Sequence, residues 1–90
     1  MKSKRIAVAV TQRDIDSPVI YSPREDCPVA KAINRAFNKK RGFAKVGRIS
    51  ITLGMGVEYL QMGTPRPVFD FIEKFDEKEE VEPFTFTLKY

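Results

Sequence analysis

Near the middle of the chain lies Lys45-Val46-Gly47-Arg48-Ile49-Ser50-Ile51-Thr52-Leu53-Gly54-Met55-Gly56-Val57-Glu58-Tyr59-Leu60-Gln61-Met62. Its first half alternates. Ile49, Ile51 and Leu53 fall on one side, and Arg48, Ser50 and Thr52 on the other. A period of two is a strand signal and predicts one strand over residues 45–53. Gly54-Met55-Gly56 supplies a short turn, so residues 57–62 return as the second arm of a hairpin. The facing of that arm has two readings. Either Leu60 and Met62 face the core with Glu58 at the edge, or Val57 and Tyr59 do.

Upstream, residues 26–41 read as an amphipathic helix. Asp26 is a suitable N-cap, and Pro28 sits in the first turn, where proline is tolerated. Val29, Ile33, Ala36 and Phe37 form a buried stripe, and Lys31, Asn34, Arg35, Asn38 and Lys39 lie opposite. Lys39 and Lys40 near its end complement the helix dipole, and Gly42 is a natural stop. Further upstream, Ile6, Val8 and Val10 alternate with Ala7 and Ala9 in a first strand over residues 5–11. Residues 11–16 break that pattern and predict a single turn. Residues 17–26 form a loop with two prolines, Pro18 and Pro23; Val19, Ile20 and Tyr21 inside it are either a short extended segment packed over the core or partly exposed, with packing favoured for Tyr21.

Downstream, Gly63-Thr64-Pro65-Arg66-Pro67 is a linker and then a helix start. Val68, Phe71, Ile72 and Phe75 follow at helical spacing. An acidic run over residues 76–82 closes this helix. After Pro83, Phe84, Phe86 and Leu88 point inward and Thr85, Thr87 and Lys89 outward. The order is β-α-β-β-α-β, the ferredoxin-like split βαβ order. It predicts a single α+β domain over residues 1–90, with two helices on one face of a four-stranded antiparallel sheet. Ala7, Ala9, Ser50, Thr52, Thr85 and Thr87 suit the solvated face.

Composition removes several chemistries. Ninety residues allow one core. There is no histidine and one cysteine, Cys27. A Cys/His zinc site, a Ser-His-Asp or Cys-His catalytic set and an intramolecular disulfide are therefore excluded within one chain. Metal and cofactor are expected to be absent, and the chain is read as no enzyme. Cys27 at a helix start lacks a histidine to activate it, and Glu25 and Asp26 oppose the dipole, so a packed thiol is expected. The acidic run lacks the ligand spacing of a calcium loop. Asp14 and Asp16 are a weak metal pair. Gly54-Met55-Gly56 lacks the lysine of a phosphate loop. No apolar run approaches the ~20 residues of a membrane span. No secretory signal is evident, and a lone cysteine fits a reducing cytoplasm.

Charge is more telling. Residues 1–49 hold 12 Lys+Arg against 4 Asp+Glu, a balance of +8, and residues 50–90 hold 4 against 8, a balance of −4. Lys31, Arg35 and Lys39 are four apart on one side of the helix. Lys40, Arg41, Lys45 and Arg48 continue the charge toward the hairpin. No carboxylate occurs from residue 31 to residue 57, so these seven cations are read as having no local partner. Such a row suits phosphates or an acidic protein surface. The plainer alternative is a solvated basic face. Likewise the acidic run is either solvated or pairs with the basic half of a second copy, which would make a homodimer. Arg41-Gly42-Phe43-Ala44-Lys45-Val46 partly resembles the signature of RNA recognition motifs. It follows the first helix rather than lying on the third strand, however, and Tyr59 is at best one ring of an aromatic platform.

Other stretches carry a broader resemblance. These are Val8-x-Val10-Thr11-Gln12-x-Asp14-Ile15-Asp16, Cys27-Pro28-Val29-Ala30-x-Ala32-Ile33, Phe71-Ile72-x-x-Phe75-Asp76 and Val81-x-Pro83-Phe84-x-Phe86. Together they resemble small bacteriophage and prophage proteins of unassigned function. The resemblance spans both ends and the first helix and departs most over residues 39–55. It implies a phage origin, a place in the host cytoplasm and a host-takeover role, and it transfers no catalytic residue. The expected function is thus a non-catalytic interaction protein that binds nucleic acid or a nucleic-acid-handling complex through Lys31, Arg35, Lys39, Lys40, Arg41, Lys45 and Arg48. The alternative is an anti-CRISPR-like inhibitor of a host defence or transcription complex.

Overall fold

The computed structural model describes residues 4–17 and 22–90, with the side chain of Pro23 excepted. Pro18, Val19, Ile20 and Tyr21 lie outside the described residues. The chain is α+β. In order come β1 (Arg5–Val10), α1 (Gln12–Asp16), α2 (Pro23–Asp26), α3 (Pro28–Ala36), β2 (Ala44–Val46), β3 (Ser50–Met55), β4 (Glu58–Gly63), α4 (Arg66–Asp76) and β5 (Phe84–Lys89).

The strands form two antiparallel sheets rather than one of four strands. One is β1-β5, with Arg5 opposite Lys89 and Val10 opposite Phe84. The other is a meander, β2-β3-β4. Residues 45–53 are in addition two strands and a corner instead of one strand. Val46 pairs with Ile51, and the Gly47 N–H donates to the Ser50 carbonyl at 2.9 Å. Arg48 and Ile49 make the corner between them. Period-two reasoning holds only within a strand. Ile49, expected inside, is therefore 84% exposed. β1 pairs only with β5 and does not join the outer edge of β4, the place a ferredoxin-like sheet would give it, so the strands stay in two sheets.

The β3–β4 hairpin turns at Gly56-Val57, one residue later than the glycine pair suggests. Gly56 has φ +69°, while Val57 is not in the left-handed region. A positive φ at the first central residue alone is the type II′ pattern that suits strand twist. Of the two facings, Leu60 and Met62 touch the core, whereas Val57 and Tyr59 are exposed.

Helix α3 joins the sheets, contacting both β1 and β2. It is consequently buried around most of its circumference: Pro28, Val29, Ala30, Ala32, Ile33 and Asn34 are all buried. Val8 and Val10 from β1, Ala44 and Val46 from β2, Ile51 and Leu53 from β3, and Phe86 and Leu88 from β5 complete the core around it. Val68, Phe71 and Ile72 add the buried side of α4, and the Phe71 and Phe84 rings meet at 5.0 Å. None of the described helices is long and apolar enough to cross a membrane.

Candidate functional site

The basic face begins with how α3 starts and stops. Its N-cap is Cys27, not Asp26. Cys27 is extended (φ −70°, ψ 160°), and its Sγ accepts the Ala30 N–H at 3.5 Å. Burial pushes the Cys27 thiol pKa up, which keeps it protonated and disfavours a nucleophile. The helix ends well before Gly42. Asn38 takes φ +55°, its N–H donates to the Arg35 carbonyl, and the Lys39 N–H reaches the Asn34 carbonyl at 2.7 Å. That pair of bonds is a Schellman stop, in which asparagine tolerates the left-handed residue. Lys39 and Lys40 therefore lie beyond the helix, and Gly42 (φ +94°) shapes the following turn.

Asn34, expected outside, is buried. Its Oδ1 accepts the Ala44 N–H at 3.0 Å, fastening α3 to the start of β2. The outward side of α3 is thereby reduced to Lys31 and Arg35.

Carboxylates far away in the sequence supply local partners after all. Arg35 donates from Nη1 to Asp14 Oδ1 at 2.8 Å, and from Nη2 to Asp14 Oδ2 at 2.7 Å and the Ala9 carbonyl at 2.9 Å. Asp14 is itself buried and closes a capping box with Thr11 at the start of α1. Burial acts to raise its pKa, but the hydrogen bonds from Arg35 and Thr11 outweigh it and hold the carboxyl below its ordinary value. The same hydrogen bond raises the Arg35 pKa. Arg41 forms the second clamp. Its Nε and Nη2 donate to the two oxygens of buried Asp26 at 2.6 and 3.0 Å, and Glu25 lies 3.7 Å away. Asp26 also accepts the Ser22 N–H at 2.8 Å, so it braces α2 instead of capping α3.

These clamps bring part of the predicted set together. Lys31, Arg35, Lys39 and Arg41 line one depression of about 360 Å³ with Glu25, Asp26 and Asn34. Lys39 also stands over the Phe43 ring at 6.0 Å. Lys40, Lys45 and Arg48 do not line it. Lys45 is on the exposed side of β2, and Arg48 occupies the β2–β3 corner beside a separate, smaller depression. Of the five guanidinium N–H groups on Arg35, three are engaged by Asp14 and Ala9, and the other two have no partner among the described residues. The side chain is still 52% exposed. The arrangement offers fixed cations to an anion.

A second concavity has no motif in the sequence beyond the acidic run. It measures about 920 Å³ and lies between α1 and the segment after α4, with Gln12, Ile15, Cys27, Phe75, Glu80 and Val81 among its walls. Asp76, Glu79, Glu80 and Glu82 give it a charge opposite to that of the basic depression. Among the described residues no three of Cys, Asp and Glu converge to hold a metal ion. No family model, curated protein or solved structure matches the chain.

Proposed function

We propose that this chain is a non-catalytic binding protein for a phosphate backbone, presented by nucleic acid alone or within a nucleic-acid-handling complex. The observation that carries the reading is the convergence of Lys31, Arg35, Lys39 and Arg41 on one depression. Arg35 and Arg41 are held rigid by Asp14 and Asp26, so little side-chain entropy remains to be lost when an anion binds. Lys31 and Lys39 supply the more adaptable point charges. Contacts of this kind position a backbone without reading bases.

The test is a gel shift against duplex DNA, single-stranded DNA and RNA over a range of salt. The double substitution Lys31→Glu/Lys39→Glu leaves both arginine clamps intact and is expected to weaken binding at least about tenfold. Lack of binding to any of the three nucleic acids at low salt removes the proposal. Pull-down with and without nuclease separates the two forms of target, because a complex that survives nuclease is held by protein contacts.

A further inference from the structure

The meander ends in two unlike edges. The β2 edge is three residues long and carries Lys45, the usual protection of an exposed edge. The β4 edge is six residues long, and its one charge, Glu58, sits beside the turn. The ladder fixes which backbone groups of β4 face outward. Met55 and Glu58 flank a two-residue turn, so they form a hydrogen-bonded pair, and the alternation makes Leu53/Leu60 and Ile51/Met62 the next bonded pairs. Two flanking bonds keep the same alternation: the Gly54 N–H turns away to the Phe43 carbonyl at 2.8 Å, and the Thr64 N–H donates to the Ile49 carbonyl at 2.9 Å. The N–H and C=O groups of Tyr59, Gln61 and Gly63 therefore point away from β3. All three residues are exposed, Tyr59 by 76%. Gly63 needs its missing side chain for nothing within the chain, since a Cβ there would meet no atom within 4 Å and its φ is not positive.

We propose that β4 pairs antiparallel with β4 of a second copy of this chain, about a twofold axis at Gln61. Gln61 then lies opposite Gln61 of the second copy, and Tyr59 opposite its Gly63. Every outward N–H and C=O of the three residues gains a partner. Leu60 faces Met62 of the second copy on the core side. Glu58 falls opposite Thr64, so no like charges meet. The bare surface at Gly63 receives the Tyr59 ring of the other copy, an aromatic covering an edge glycine. The contact is isologous and closed, and it joins the two meanders into one six-stranded sheet. It uses none of the basic depression and stands apart from the reading of that site.

Sedimentation equilibrium of the full chain tests the association. A concentration-dependent dimer is expected, and Gln61→Lys, which sets two ammonium groups opposite each other, raises its dissociation constant at least about tenfold. Register is tested by oxidation of two cysteine variants. Gln61→Cys places thiols on Cα atoms about 5.5 Å apart, within disulfide reach. Tyr59→Cys leaves its twins roughly 14 Å apart, four residues along the strands and one strand spacing across. Cys27 is buried and does not compete. The first variant is expected to cross-link at least about tenfold faster than the second. A chain that stays monomeric up to about 1 mM, or a Gln61→Lys variant that dimerises like the parent, overturns the proposal. Equal cross-linking of the two cysteine variants also overturns it, and decides alone if Gln61→Lys does not fold.

Discussion

Asp14 shows how one side chain can serve several elements at once. It caps α1, holds Arg35 of α3 and, through Arg35, reaches the Ala9 carbonyl of β1. Asp14→Asn is expected to lower stability at pH 7 by about 1–3 kcal/mol, measured by urea unfolding, with Arg35 partly rehydrated through its exposed side. The folded-state pKa of Asp14 lies below its unfolded value. Its contribution is thus fully present above the ordinary aspartate range near pH 4 and is lost as pH falls through the folded value. The parent and the variant should converge in stability at the acid end; a constant difference there would refute the clamp. A second residue carries a cost. Lys78 follows α4 with φ +60° in a Schellman stop like that of Asn38, its N–H donating to the Phe75 carbonyl and that of Glu79 to the Lys74 carbonyl. A left-handed lysine costs about 1–2 kcal/mol, partly offset by the greater unfolded freedom of glycine. Lys78→Gly is expected to raise the unfolding midpoint, and an unchanged or lowered midpoint would contradict the strain.

At the scale of elements, the meander is the decisive feature and makes a sharp contrast between neighbours. Ile49→Thr, in the exposed corner, should leave stability within about 0.5 kcal/mol. Ile51→Ala, two residues later and fully buried, should cost about 2–5 kcal/mol. Similar losses at both sites would restore a single continuous strand. This region also shows what the sequence could reveal. The helical stripe of Val68, Phe71 and Ile72 and the alternation of Phe86 and Leu88 were legible because each element buries one side. The Gly47 corner was not, because Ile49, Ile51 and Leu53 keep a perfect period across it. Asn34 was misplaced because α3 meets two sheets, and a helix buried on several sides has no single polar face. The cations that line the depression were legible as a charge run, but their geometry was not. Asp14 lies 21 residues from Arg35 and Asp26 lies 15 from Arg41, and charge spacing gives no account of pairs at that distance.

For the whole molecule, charge and topology set the behaviour. If four cations each meet a phosphate on duplex DNA, log K falls against log salt with a slope of about −0.9 per contact. Lys31→Glu/Lys39→Glu should reduce that slope by about 2, whereas Lys45→Glu, outside the depression, should change it by at most about 1. Equal effects from the two would mean a diffuse field instead of a site. The pairing of β1 with β5 has a different consequence, one of time. Residues of β3 and β4 meet across a two-residue turn, but Val10 finds Phe84 only after almost the whole chain has been threaded between them. Loop closure for the β1–β5 pair is the costliest step, and it is rewarded last. β1 can pack on α3 before then, but its ladder partner β5 comes last. Refolding after dilution from urea should be governed by that meeting. It should run over roughly milliseconds to seconds, slower than a helical bundle of equal length.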